Sequence, residues 1–101
     1  MTNADKMYHK FLEACNKKNL VLDGAVGDSD SWSVAVTDTK ENINTKYVIV
    51  DYTEEAVKYD EPPFQLSWYD FRDKENPCEG VEIGDYKTVA GTVKKIMKEL
   101  A

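Results

Sequence analysis

The run Lys46-Tyr47-Val48-Ile49-Val50-Asp51-Tyr52 limits what this chain can become more than any other stretch. It is the one long, uninterrupted series of β-formers. It is also apolar at both parities, with Tyr47 and Ile49 on one face and Val48 and Val50 on the other. A strand of that kind is usually buried on both sides and lies in the middle of a sheet. The rest of the chain then has to supply strands to its left and right and cover for its faces.

Candidate neighbours are legible on both sides. Trp32 to Thr37 alternates, with Trp32, Val34 and Val36 pointing one way and Ser33, Ala35 and Thr37 the other. Such alternation marks an antiparallel strand with one solvated face. Leu20-Val21-Leu22 opens an earlier strand that Gly24 and Gly27 bend or break, and Gly27-Asp28-Ser29-Asp30-Ser31 is turn composition. Beyond the central run, Pro62-Pro63 stops any regular ladder. Phe64 to Phe71 then reads as a further strand with Phe64, Leu66 and Trp68 on one face. Asp38–Thr45 and Arg72–Gly80 read as polar loops.

The cover comes from the two ends of the chain. Ala4, Tyr8, Phe11, Leu12 and Cys15 form an apolar stripe on a helix over residues 4–18, capped by Thr2 or Asn3 and stopped near Asn19. Tyr86, Val89, Ala90, Val93, Ile96, Met97 and Leu100 form another, with Asp85 as its N-cap. The expected fold is α+β, a single domain over residues 1–101 in the order α-β-β-β-β-α. Its antiparallel four-stranded sheet carries both helices on one face. Residues 53–60 are open to two readings, a helical turn starting at Thr53 or a short fifth strand at 56–59.

Charge is distributed unevenly. Residues 1–21 sum to +2, residues 22–85 to −11 and residues 86–101 to +3. A nucleic-acid binder needs a dominant basic face to displace counterions from phosphates, and this middle segment repels them. Anionic membrane surfaces are disfavoured for the same reason. Helices flanking a run of strands, α-β-β-β-α, resemble double-stranded-RNA-binding domains in element order alone. The start of the last helix, where those domains carry basic residues, here holds Glu82, Asp85 and a single Lys87, so the RNA-binding function does not carry over. With two cysteines in no metal or redox spacing and no apolar leader or spanning run, the expectation is a cytoplasmic protein with reduced thiols.

No constellation points to catalysis. The single histidine, His9, sits on the polar side of the first helix; Cys15 lies in the apolar stripe; Cys78 sits beside Glu79, which opposes thiolate formation. Asp28-Ser29-Asp30 begins like a calcium loop but lacks the later ligand and glycine positions, and reads as an Asx-bonded turn. Catalytic residues, metal ligands and cofactors are all expected to be absent.

What remains is a band of acids and aromatics. The candidate partner-binding residues are Asp51, Tyr52, Glu54, Glu55, Tyr59, Asp60, Glu61, Tyr69, Asp70, Asp73 and Glu75. Aromatics dominate interface centres, and carboxylates around them steer a basic partner. The chain is similar in size and charge to immunity proteins of nuclease toxins and to phage-encoded inhibitors of host defence, anti-CRISPR proteins among them. The partner this implies is a basic protein that handles nucleic acid, such as a nuclease, a CRISPR effector or a DNA-binding protein. The alternative is an accessory domain that pairs with itself, as a homodimer, or with a larger protein through its aromatic face or a strand edge.

Overall fold

The structure, a computed structural model, describes residues 1–101. The elements run α1 (Asn3–Lys17), β1 (Val21–Gly27), β2 (Ser31–Thr37), a short 3₁₀ turn (Lys40–Asn42), β3 (Lys46–Thr53), α2 (Glu54–Lys58), β4 (Phe64–Asp70), β5 (Cys78–Tyr86) and α3 (Val89–Leu100). The five strands form one antiparallel meander in the order β1-β2-β3-β4-β5, so the doubly apolar run is the middle strand.

The fold class is as expected, and the fifth strand lies elsewhere in the chain. Residues 54–58 form α2, and the additional strand is Cys78–Tyr86, in a segment that reads as loop and helix cap. Its sequence hides it. Gly80 and Gly84 both have positive φ, and the pairing of β4 with β5 slips between Leu66 and Ser67 and again between Trp68 and Asp70. Each slip reverses the side-chain alternation, so no clean period-2 pattern survives.

Tyr86 therefore belongs to the sheet, opposite Phe64, and α3 starts later than its apolar spacing suggests. The N-cap is Thr88, whose Oγ1 accepts from the Gly91 N–H at 3.0 Å, and not Asp85. Met97, a member of the apolar spacing, is exposed. Helix α1 follows the sequence closely. Thr2 and Asp5 form a reciprocal capping box, and Asn19, at φ 59°, ends the helical path.

Both helices lie on the same face of the sheet and touch each other. Under them the inward residues of the three middle strands interdigitate: Trp32, Val34 and Val36; Val48, Val50 and Tyr52; Phe64 and Leu66. Phe11, Cys15, Val93, Ile96 and Leu100 close the core from above. Trp32 is held by aromatic contacts and through its nitrogen. Tyr52 stacks on it at 5.3 Å, Phe11 lies at 5.4 Å, and Nε1 donates to the Ala4 carbonyl at 3.0 Å. Burial pushes the Cys15 thiol up to about 12, which keeps it protonated and inert.

The strand buried on both sides is the one feature of β3 that the structure corrects. Tyr47 and Ile49 are only half-buried, and no helix packs on them. Geometry explains why. Five strands spaced about 4.8 Å apart need roughly 20 Å of cover. Two helices packed about 10 Å apart supply that for one face and leave nothing for the other.

Candidate functional site

The meander sorts its connections onto two ends of the sheet. The β1–β2 turn and the β3–β4 connection share one end, which is also where α1 and α3 begin. This follows from Trp32 bonding Ala4 and from Tyr86 pairing with Phe64 just ahead of α3. The β2–β3 and β4–β5 connections share the other end, where α1 and α3 finish with Lys17, Lys18, Lys95 and Lys98.

The acid–aromatic band is divided between these ends. Asp51, Tyr52, Glu54, Glu55, Tyr59, Asp60 and Glu61 lie at the first. Asp70, Asp73 and Glu75 lie at the second, roughly 20 Å away along β3. Tyr69 stands near the second end on the helix-free face. The eleven candidates therefore do not form one patch.

Four of them are committed to the fold: Tyr52 with its acceptor Glu54, Asp70 and Asp73. Tyr52 is core: it is 2% exposed, pairs with Trp32 and Phe64 across the sheet, and its hydroxyl donates to Glu54 Oε2. Burial first, and Glu54 second, push the phenol up, so it stays neutral. It has no free surface to give a partner. Asp70 is held by Arg72 through Nε at 3.0 Å and Nη2 at 2.7 Å, and that pairing keeps its carboxyl down at about 2. Asp73 Oδ1 accepts from the backbone N–H of Glu75 at 3.0 Å and of Asn76 at 3.3 Å, which closes the β4–β5 turn.

The first end is different. Helix α2 packs the buried Ala56 inward and presents Glu55 outward, while the Glu54 N–H donates to the Asp30 carbonyl at 2.8 Å. That bond docks the β1–β2 turn against α2. The turn itself is built by Asp28, whose Oδ1 accepts from Asp30 N, Ser31 N and Ser31 Oγ; those bonds pull its carboxyl below the usual range. Residues Asp28, Asp30 and Glu55 then line one hollow with Lys58. Beside it, a groove of about 570 Å³ runs between the turn and Pro62-Pro63, walled by Asp51, Glu61, Gln65 and Asp85. No lysine or arginine lines that groove. Asp60 reaches the only ion pair at this end, with Lys87 at 3.7 Å, and Tyr59 is 69% exposed.

Asp30 and Asp85 belong to this acidic end, although by sequence one falls in a turn and the other at a helix cap. The signal was available for Asp30. A meander places every second connection at the same end, so the β1–β2 and β3–β4 connections must meet. Asp85 had no such signal, because the strand that carries it was not legible. His9 and Cys78 are exposed on α1 and β5, and no three His, Cys, Asp or Glu side chains come together in an arrangement that holds a metal ion. No helix is long and apolar enough to cross a membrane.

No protein-family model, curated protein or solved structure matches this chain.

Proposed function

We infer that this protein is a non-enzymatic binding module whose acidic end occludes a basic, nucleic-acid-handling site on another protein. One observation carries the reading: carboxylates from the end of β3, the β3–β4 connection and β5 meet around a groove that no lysine or arginine lines, and Asp28, Asp30 and Glu55 border a neighbouring hollow that holds one base, Lys58. Concentrating like charge costs folding energy through mutual repulsion, and Lys58 and Lys87 offset only part of it. A cationic partner would offset the rest. Asp51, Glu55 and Glu61 would stand in for phosphates, with Tyr59 adding apolar contact, and the field would speed encounter and set orientation more than it raises affinity. Asp70 and Asp73, which are engaged internally, fall outside this surface, and Glu75 lies at the wrong end.

The test uses charge reversal. A tagged chain should retain a basic nucleic-acid-handling protein from an extract of its own cells, and duplex DNA or added salt should release it. The triple variant E55K/D60K/E61K, which leaves the Tyr52–Glu54 hydrogen bond intact, should lose that protein through slower association, most clearly at low ionic strength. Equal retention by the variant would sink the reading. The accessory-domain alternative finds less support, because both edge strands are irregular. The β1 pairing breaks between Asp23 and Val26, and β5 carries two slips, so neither edge offers a flat ladder to a second copy.

A further inference from the structure

The helix-free face of the sheet carries a second set of features that the acidic end does not explain. Tyr47 and Tyr69 face each other across β3 and β4 and stack with centroids 5.1 Å apart and planes 13° from parallel. Phe71 leans on both, at 6.2 Å from Tyr47 and 6.1 Å from Tyr69. Its N–H is tied to the Thr45 carbonyl at 2.6 Å, so the shelf is anchored at its lower edge. Ile49 and Ser67 continue the surface upward as the next cross-strand pair, and Asp51 opposite Gln65 follows.

The charges on this face have one sign. Asp23, Asp51, Glu82 and Asp85 occupy outward strand positions, opposite Ala35, Gln65, Ser67 and Gln65 respectively where the register pairs them. Glu79 lies close enough to Tyr47 to help raise its hydroxyl, after burial and Tyr69. None of the five takes part in a salt bridge. Lys46 is the only basic residue in the five strands, and it points inward to donate to the Leu100 carbonyl at 3.0 Å. The face is thus an aromatic shelf within a ring of unpaired carboxylates.

We propose that this face extends the docking surface of the acidic end, and that it takes an arginine-bearing segment of the basic partner laid across β3 and β4. The proposal rests on the reading of the protein as a binder of a basic partner, and adds where the contact lies and which cation it selects. Guanidinium is planar and weakly hydrated, and it stacks on aromatic faces while its edge bonds carboxylates. The outer faces of the Tyr47–Tyr69 stack, with Glu79 near Tyr47, match both properties, and Asp51, about 13 Å further along β3, meets the next basic residue of the segment. A second copy of the chain is a poor occupant, because it would bring the same carboxylates against these. The face is continuous with the acidic end, since Asp51, Gln65 and Asp85 belong to both.

The experiment is a titration of the ¹⁵N-labelled chain with nona-arginine, and in parallel with nona-lysine, at low ionic strength. Nona-arginine should shift the amides of Tyr47, Ile49, Asp51, Ser67 and Tyr69. The double variant Tyr47→Leu, Tyr69→Leu should weaken nona-arginine about fivefold or more and nona-lysine less, because it removes the rings and keeps the apolar bulk. Ser67→Lys, a surface change that leaves the Tyr stack alone, should weaken both peptides strongly. Shifts confined to residues 54–61, unaffected by these variants, overturn the sheet-face proposal and leave the acidic-end reading standing. Absence of binding by either peptide overturns both. Concentration-dependent self-association that Tyr47→Leu, Tyr69→Leu abolishes assigns the face to a second copy and also overturns the proposal.

Discussion

The two faces of the sheet are made from alternate residues of the same strands, yet they have opposite fates. Val34, Val48, Val50, Phe64 and Leu66 are at most 1% exposed. Their immediate neighbours Ser33, Ala35, Tyr47, Ile49 and Ser67 are half-buried with no helix above them. Composition does not separate the faces, since β3 is apolar on both. Cover does. An apolar residue under α1 or α3 stabilises the fold by several kcal/mol, whereas one on the open face loses little if removed and remains available for contact.

The comparison breaks most easily with a matched pair of truncations. Phe64→Ala should cost about 3–5 kcal/mol, because Phe64 touches Phe11, Trp32 and Tyr52 and leaves a cavity among them. Ile49→Ala, on the open face of the same sheet, should cost about 1 kcal/mol or less. Urea unfolding of both variants checks this. Equal losses would mean that something covers the outer face in solution.

A smaller effect sharpens how the cover is fastened. Lys46 is a lysine at an inward position, 9% exposed, with its Nζ on the Leu100 carbonyl and 5.9 Å from the Trp68 ring. It ties the last turn of α3 to the central strand while its methylenes pack in the core. Lys46→Met keeps the packing and removes the charged hydrogen bond, so a loss of about 1–2 kcal/mol is expected. Hydrogen exchange should place the loosening at the C-terminal turn of α3, with the outer face unchanged.

The smallest effect concerns Asp70, at the lower edge of both faces. Arg72 depresses its folded pKa to about 2, below the ordinary carboxylate value. Its contribution is therefore present above about pH 4 and is lost as pH falls through the folded value near 2. Asp70→Asn should be slightly less stable than the parent at pH 7, with the gap shrinking through pH 2 and closing near pH 1. The pair is solvent-facing, so added salt should shrink the difference further. A difference that persists undiminished to pH 1 would mean that the side chain acts through packing and not through charge.

Much of this architecture was legible in the residues. The alternation of Trp32–Thr37 and Phe64–Trp68, the double parity of Lys46–Tyr52 and the two helical stripes led to an antiparallel sheet with both helices on one face. These are signals of period 2 and period 3.6, and each lies within one element. The fifth strand escaped because two bulges and two glycines erase its period. The binding candidates were read as one band because they are neighbours in sequence, and a meander sends successive connections to opposite ends.

What the chain determines locally is therefore which residues can share a face: Tyr47 with Ile49, Val48 with Val50. Whether a face becomes core or surface depends on how many helices are available to cover it, and two suffice for one side only. That decision turned Tyr52 from a candidate contact into core and left Tyr47 and Tyr69 uncovered. It also brought Asp30, Asp51, Glu61 and Asp85 to one end, although they stand far apart in the chain. Such convergence is a property of the path between elements and of the cover laid over them, and no single segment encodes it.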